Sequence, residues 1–457
     1  MRKVLVMLAA CLIIGGNVWA GNVDTYGIGC KAGALGGAFT AYADDPFAAY
    51  YNPAGLTQMK SATVSAGFML IDPDLEAKNY FVDNNVTADY GPVDFSDESP
   101  SLVVPHVGFA MPINEKFSAG VALYAPFGLH LEWDDTANPV TNPGAFNSYE
   151  SWYAREVVTP TLAYKVNDKF SIGAGISLGK SMAGKNFWSN DLYQIGNSLT
   201  AAGISTLGPI TAAEEVDIED DFNYSFNIGL MYKPIDELTF GLTYRSKADV
   251  DLEGELELVG LSEQERLVLN GFLTTPLAGG GLGLSQGINK TEYDVEVNDL
   301  DTPCQIQFGA RYVFHERVSV EADLVWTDWS AIEEETLEIK NPDPAILTLL
   351  GGSEKVLPRE WDDTIQVKFG IEWKATDMFT FRGGYFYDPS PIPDDTFDIE
   401  WSDADKKTYS FGVGVNLTDH WTIDTIVQYT RTESEREIGG ESKNLNESYE
   451  VATGNPA

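Results

Sequence analysis

One pattern recurs from residue 61 onward: runs of nine or more residues in which apolar side chains alternate with small or polar ones, each run closed by turn-forming residues. A period of two sends successive side chains to opposite faces of an extended strand, so every run has one oily face and one small or polar face. Phe170, Ile172, Ala174, Ile176 and Leu178 oppose Ser171, Gly173, Gly175, Ser177 and Gly179; Ile365, Val367, Phe369, Ile371 and Trp373 oppose Gln366, Lys368 and Glu372. Thirteen strands are read this way, near 61–72, 100–111, 116–133, 149–165, 169–185, 221–233, 237–256, 292–314, 317–333, 361–374, 378–388, 406–417 and 420–435.

Alternation alone does not say which face is wet, since a soluble sandwich hides the same oily face inside. Three features favour a transmembrane barrel. The strands are long, their apolar faces often end in Tyr or Trp as an interface girdle does, and the connections alternate between short and long. Pro112–Glu115, Val166–Asp168, Pro234–Asp236 and Leu417–Asp419 read as short periplasmic turns, and the polar stretches 186–220 and 255–292 as external loops. No run of 18 apolar residues offers a spanning helix, but a closed barrel also satisfies all of its backbone internally. The expected fold is therefore all-β, an antiparallel up-and-down barrel across residues 61–457. Such barrels have an even strand number, and Asn446 to Ala457 carry neither a closing strand nor a terminal aromatic, so the last strand is expected to be missing.

The first twenty residues read as a cleaved secretory signal, with Arg2 and Lys3 before the apolar stretch Val4 to Gly16 and Val18-Trp19-Ala20 at the cleavage site. A lipoprotein signal at Leu8–Cys11 would leave an apolar mature start. Removing the signal leaves 27 basic against 69 acidic residues, a net of −42. Phosphate backbones repel such a chain, so nucleic acid is not an expected partner. The acids cluster between apolar runs, as in Glu333-Glu334-Glu335, and read as solvated loops rather than a metal site. Cys30 and Cys304 remain after cleavage, and nothing in the sequence pairs them.

Residues 21–60 break the strand pattern. They are rich in Gly and Ala (Gly27, Gly29, Gly33, Gly36, Gly37) and end in Tyr50-Tyr51-Asn52-Pro53-Ala54-Gly55-Leu56. A compact, small-residue segment of low charge ahead of a barrel suits a plug folded in the lumen.

At this point the motifs resemble a known family. Gly33–Ala38, Ala43-Asp44-Asp45 and Asn52-Pro53-Ala54 are followed in order by Pro112-Ile113-Asn114, Phe127-Gly128-Leu129, Tyr244-Arg245-Ser246, Glu253-Gly254, Trp326–Ser330, Trp361–Thr364, Arg382–Tyr385 and Asp388–Pro391. The chain resembles the FadL/TodX-type outer-membrane transporters of long-chain fatty acids and aromatic hydrocarbons over nearly its whole length. The resemblance implies a fourteen-stranded barrel, a plug of about forty residues, an outer-membrane location and sideways exit of the ligand into the bilayer. It also implies a lateral gate where a kinked third strand meets the plug's Asn-Pro-Ala motif; here these are Tyr124, Pro126, Phe127 and Gly128 with Asn52, Pro53 and Ala54. Read from the residues alone, Pro126 and Gly128 interrupt a strand ladder and Asn52-Pro53 is an ordinary turn.

A hydrophobic solute crossing an outer membrane needs an apolar path, and each CH₂ removed from water is worth about 0.8 kcal/mol. Phe187, Trp188, Leu192, Tyr193, Ile195 and Leu199 in the first long loop, with Leu267, Leu269, Phe272 and Leu273 on a short amphipathic helix in the second, are candidates to line an external groove. The same residues would serve equally to pack the two loops together. For an acidic headgroup, alternation points Lys185, Arg245, Lys247 and Arg382 inward, Lys185 first; each could instead offset lumenal acids such as Glu321 and Asp323. The expected partners are a hydrophobic small molecule and outer-membrane lipids, with the chain acting as a monomer and needing no cofactor. His106, His130, His315 and His420 sit in no nucleophile motif, which sets an enzyme aside. A general porin for polar solutes is the rival, and a plugged lumen argues against it.

Overall fold

The computed structural model describes residues 22–24, 26–82, 90–276, 281–349, 352–432, 436, 438 and 442–445. The signal-peptide reading and the chain's last twelve residues fall outside them.

Among the described residues thirteen antiparallel strands form the wall, each hydrogen-bonded to the next in wall order. They are β2 (Thr63–Ile71), β5 (Leu102–Pro112), β6 (Phe117–Glu132), β7 (Glu150–Asn167), β8 (Phe170–Trp188), β9 (Ala213–Ile235) and β10 (Leu238–Arg245). The wall continues through β13 (Gln305–Phe314), β14 (Val318–Thr327), β17 (Thr364–Lys374), β18 (Phe379–Asp388), β19 (Lys406–Thr418) and β20 (Trp421–Thr432). Among the described residues β2 and β20 each have one wall neighbour.

The alternation resolves in favour of lipid. Along β17 the apolar side chains point out and stay exposed (Ile365 55%, Phe369 45%, Trp373 52%), whereas Gln366 and Glu372 are 2% exposed. A sandwich would show the reverse. Tyr232, Tyr312, Trp373 and Trp421 crowd the exposed face beside the short turns, where an aromatic girdle belongs. No helix among the described residues is long and apolar enough to cross a membrane.

At the long-loop end the wall extends into a crown. Two expected strands each prove to be two: 237–256 divides into β10 and β11 (Leu252–Val259), and 292–314 into β12 (Glu292–Asn298) and β13. The physical reason lies in β9, whose 23 residues outrun its neighbour. Its lower half pairs with β10 and its upper half, Ala213–Glu219, with β11. From there a ladder runs β11–β12–β15–β16, where β15 is Glu334–Ile339 and β16 Glu354–Pro358. Much of the stretches expected as loops is thus ordered. The helix Asn190–Ala201 fills the first. The helix Glu263–Thr274 fills the second, started by a capping box in which Ser262 and Glu265 each satisfy the other's backbone N–H. A separate hairpin of β3 (Glu76–Val82) and β4 (Tyr90–Ser96) completes the crown.

Candidate functional site

Residues 26–59 pack against the inward faces of strands all round the wall, and polar wall residues hold them. The amides of Phe39 and Thr40 and the Thr40 hydroxyl donate to Asp323 Oδ2 at 3.0, 3.0 and 2.6 Å; the Ala41 amide donates to Glu321 Oε1 at 2.6 Å. Asn227 donates to the Ala49 carbonyl, Thr243 to that of Tyr51, and the Tyr42 hydroxyl to Glu372. Glycines let the two backbones meet. A Cβ on Gly384 of β18 would stand 2.0 Å from the Gly36 nitrogen, and one on Gly229 of β9 would stand 2.1 Å from Asn52 Oδ1. Gly36 itself has φ +65°, a conformation in which a side chain would be strained.

Besides the unpaired edges of β2 and β20, the wall of the described residues is interrupted between β5 and β6. β5 and β6 pair only from Val107↔Leu123 to Pro112↔Ser118. Beyond that, β6 bulges between Tyr124 and Phe127, where three steps on β6 span the two from Val157 to Arg155 on β7. Further out, the Glu98 amide donates to the Glu132 carbonyl and the Glu132 amide to Ser99 Oγ, which closes the top. Between these seams Leu102–His106 and Tyr124–Leu131 share no ladder. The result is a window in the wall, narrowed by a buried contact of Val104 with Ala125 and by β1 (Asn22–Asp24), which pairs with Phe127 and Gly128.

Two cavities lie within the crown, and the inner one reaches Phe127 beside this window. The outer one encloses about 850 Å³ of space including its open mouth. Lys185, Phe187 and Trp152 line it beside Val216, Ile218, Leu256 and Leu337. The inner one is a narrow aromatic chamber of Phe127, Tyr153, Trp329, Trp361 and Trp401. Leu300 and Trp401 border both. Phe127, Trp329, Trp361 and Trp401 form a chain of ring contacts 5.4–6.1 Å apart.

Beside the shared border lies a buried ion cluster. Arg359, 1% exposed, pairs with Glu335, Asp398 and Glu400, and Lys185 Nζ lies 3.0 Å from Glu400 Oε2. Burial alone would raise the Glu400 carboxyl, but Lys185 and Arg359 outweigh it and hold it down to about 2. Glu335 and Asp398 are pushed up instead, by burial and by the neighbouring Glu400 charge that Arg359 does not cancel. Three acids share two cations.

Residues 14–455 match the family described as outer membrane protein transport protein (OMPP1/FadL/TodX). The chain belongs to that family. It is similar to the long-chain fatty acid transport protein of Salmonella typhi, 25% identical over 440 residues that make up 94% of this chain and 91% of the relative. In fold it resembles a Pseudomonas aeruginosa FadL homologue (TM-score 0.67, 20% identity, 90% of each chain). It also resembles the Pseudomonas putida toluene transporter TodX (TM-score 0.59, 18% identity, 90% of this chain and 94% of that one). This FadL/TodX protein is thus an outer-membrane β-barrel, a transport protein and not an enzyme.

The expected site residues of this family member are scattered. Asn52, fully buried, caps the short helix Pro53–Gln58 and donates to the carbonyls of Thr40 and Leu230. With Pro53 and Ala54 it seats on Gly229 and Gly173 of β9 and β8, not on the bulge. What meets the bulge from inside is Tyr50, its ring 5.3 Å from that of Tyr124. Phe187 lines the outer cavity, whereas Leu192 and Leu269, 1% and 0% exposed, pack inside the crown and border neither of the two cavities described. Phe272 packs beside them, and Trp188 and Tyr193 pack on a separate cluster around Phe146. Arg245 grips the Tyr50 carbonyl and ring, and Arg382 is held between Glu372 and Asp424. Glu321 and Asp323 are taken by the N-terminal segment rather than by bases. Arg155 belongs to none of the sequence motifs. This buried guanidinium opposite Phe127 bonds to Asn223 and Ser225, with no carboxylate partner among the described residues. Its inward parity with Tyr153 and Val157 was the available signal.

Proposed function

We propose that the protein carries a small hydrophobic molecule, of the fatty-acid or hydrocarbon class named for its relatives, passively from the cell surface into the outer membrane. The molecule settles in the outer cavity, passes the Leu300–Trp401 border into the aromatic chamber, and leaves sideways through the window beside β6. The plug, residues 21–60, stays seated and keeps water and polar solutes out. The observation that carries this reading is Phe127, which lines the inner chamber and also stands at the bulge that parts β6 from β5. A general porin needs an open aqueous lumen, and here the lumen is occupied by the bonds to Asp323, Glu321 and Glu372. Where the cargo bears an acid, Arg155 is the cation positioned to receive it at the window, since Lys185 is engaged by Glu400.

The test is to close the window. Val104→Cys with Ala125→Cys places two thiols across the gap. Under oxidation, uptake of labelled hydrophobe by cells expressing this variant falls to the vector background, and a reductant restores it. Uptake that persists through the stapled wall refutes lateral exit.

A further inference from the structure

Three metal-ligating side chains converge on the outward face of the crown. Leu129, Leu131 and Tyr153 belong to the apolar cluster inside it, so the residues that alternate with them on β6 and β7 point away. His130 and Glu132 stand two residues apart on β6, and Glu132 is paired across the ladder with Glu150 of β7. His130 Nε2 lies 3.3 Å from Glu132 Oε1 and 3.2 Å from Glu150 Oε1, and the donor atoms of the three residues all lie within 4.8 Å of one another. Asn186 of β8, next in the same row, donates to Glu150 Oε2 at 2.8 Å and leaves Oε1 to the ring.

Among the described residues neither Glu132 nor Glu150 has a Lys or Arg partner. Like charges set directly opposite on neighbouring strands repel. One ring nitrogen stands between the two carboxylates, and a single N–H divided between them satisfies neither fully. A divalent ion satisfies both. Donors bound about 2.0–2.1 Å from a tetrahedral zinc stand roughly 3.3 Å apart, and His130 already keeps that separation from each carboxylate. The nitrogen selects the class of ion: imidazole suits zinc and its transition-metal neighbours, whereas calcium and magnesium take oxygen ligands.

We infer that His130, Glu132 and Glu150 form a binding site for a divalent ion of the zinc class. The two carboxylates, with side chains 37% and 31% exposed, leave a fourth position open to water. The site sits at the upper corner of the window, because the Glu132 amide and carbonyl make the seam to Ser99 and Glu98. A bound ion ties the upper arm of β6 to β7 there. None of the three residues borders either cavity, so the ion binds with or without cargo.

The experiment is equilibrium dialysis of the untagged full-length protein in detergent, stripped of metal and offered Zn²⁺ against an excess of Ca²⁺, with bound zinc measured by mass spectrometry. One Zn²⁺ per chain should stay bound, and Co²⁺ in its place should give the strong visible absorption of a four-coordinate ion. His130→Ala and Glu150→Gln should each weaken Zn²⁺ binding at least about 100-fold, and Asn186→Ala roughly ten-fold. Glu257→Gln, an acid two strands beyond Asn186 in the same row, should leave it unchanged. Zinc that Ca²⁺ displaces, or that survives His130→Ala, would show the acids gathering ions without the ring and overturns the site. A wild type that retains no Zn²⁺ overturns it too. The competition between Zn²⁺ and Ca²⁺ in the wild type stands even where a variant does not fold.

Discussion

The lumen and the crown of this molecule are both buried, yet they are held together by opposite chemistry. In the lumen the N-terminal segment is fixed by directional bonds to Asp323, Glu321 and Glu372 and by backbone-to-backbone approach at wall glycines. In the crown, Leu192, Leu252, Leu269, Leu273 and Tyr293 fuse loops, helices and ladder strands into one apolar cluster. The difference follows from the wall. Its oily side chains are spent on lipid, so its inner face has only polar and small residues to offer, and those grip a partner in one register. Apolar contacts are non-directional and tolerate rearrangement. A site for an oily guest therefore belongs in the crown, and a seal belongs in the lumen.

This contrast can be broken. The largest effect is expected from Gly384→Leu, which drives a side chain into the Gly36 backbone where no room exists; overpacking costs about 1–3 kcal/mol or more. The variant should conduct ions across a planar bilayer where the wild type is nearly silent, and a silent variant would show that the seat is looser than the glycines suggest. In the crown, Arg359→Met strands three buried acids and should destabilise the loops by roughly 3–5 kcal/mol. Limited proteolysis would then cut the crown while the wall keeps its heat-modifiable migration on gels; coupled loss of both would make the two regions a single unit. Asp323→Ala removes one acceptor shared by three donors of the N-terminal segment and by Gln307 and should loosen the plug by about 1.5–3 kcal/mol, read as ion leak below that of Gly384→Leu. The smallest shift is expected for Lys185→Met, since Glu400 keeps Arg359. The loss of crown stability stays below that of Arg359→Met, with binding of ionised dodecanoic acid unchanged. A large loss of acid binding in that variant would return Lys185 to the role of headgroup partner.

The wall was legible because its signal is local. In β8 the pattern Phe170 to Gly179 states both faces within ten residues, and the structure turns them as lipid demands. The break in 237–256 was not legible, because it comes from β9 outrunning β10, a matter of neighbours rather than of residues 246–251 themselves. The same divide runs through the site. Pro126 and Gly128 announced an irregular strand, and β6 does bulge there. That Tyr50 and β1 meet the bulge, while Asn52-Pro53-Ala54 seats on β8 and β9, depends on contacts across more than seventy residues of chain. The aromatic chamber gathers Phe127, Tyr153, Trp329, Trp361 and Trp401 from five separate segments, and no period in the sequence joins them. Leu192 and Leu269 show the limit most plainly: helical spacing told that they face something, and the fold made that something each other's surroundings.

A window in the side, with the floor still stopped, separates two tasks that an open channel must trade against each other. On the proposed route, traffic in greasy molecules would rise or fall with the seam between β5 and β6 while salts, sugars and water-soluble poisons met the same closed floor. On the proposed route the cell would feed through this protein without becoming leakier.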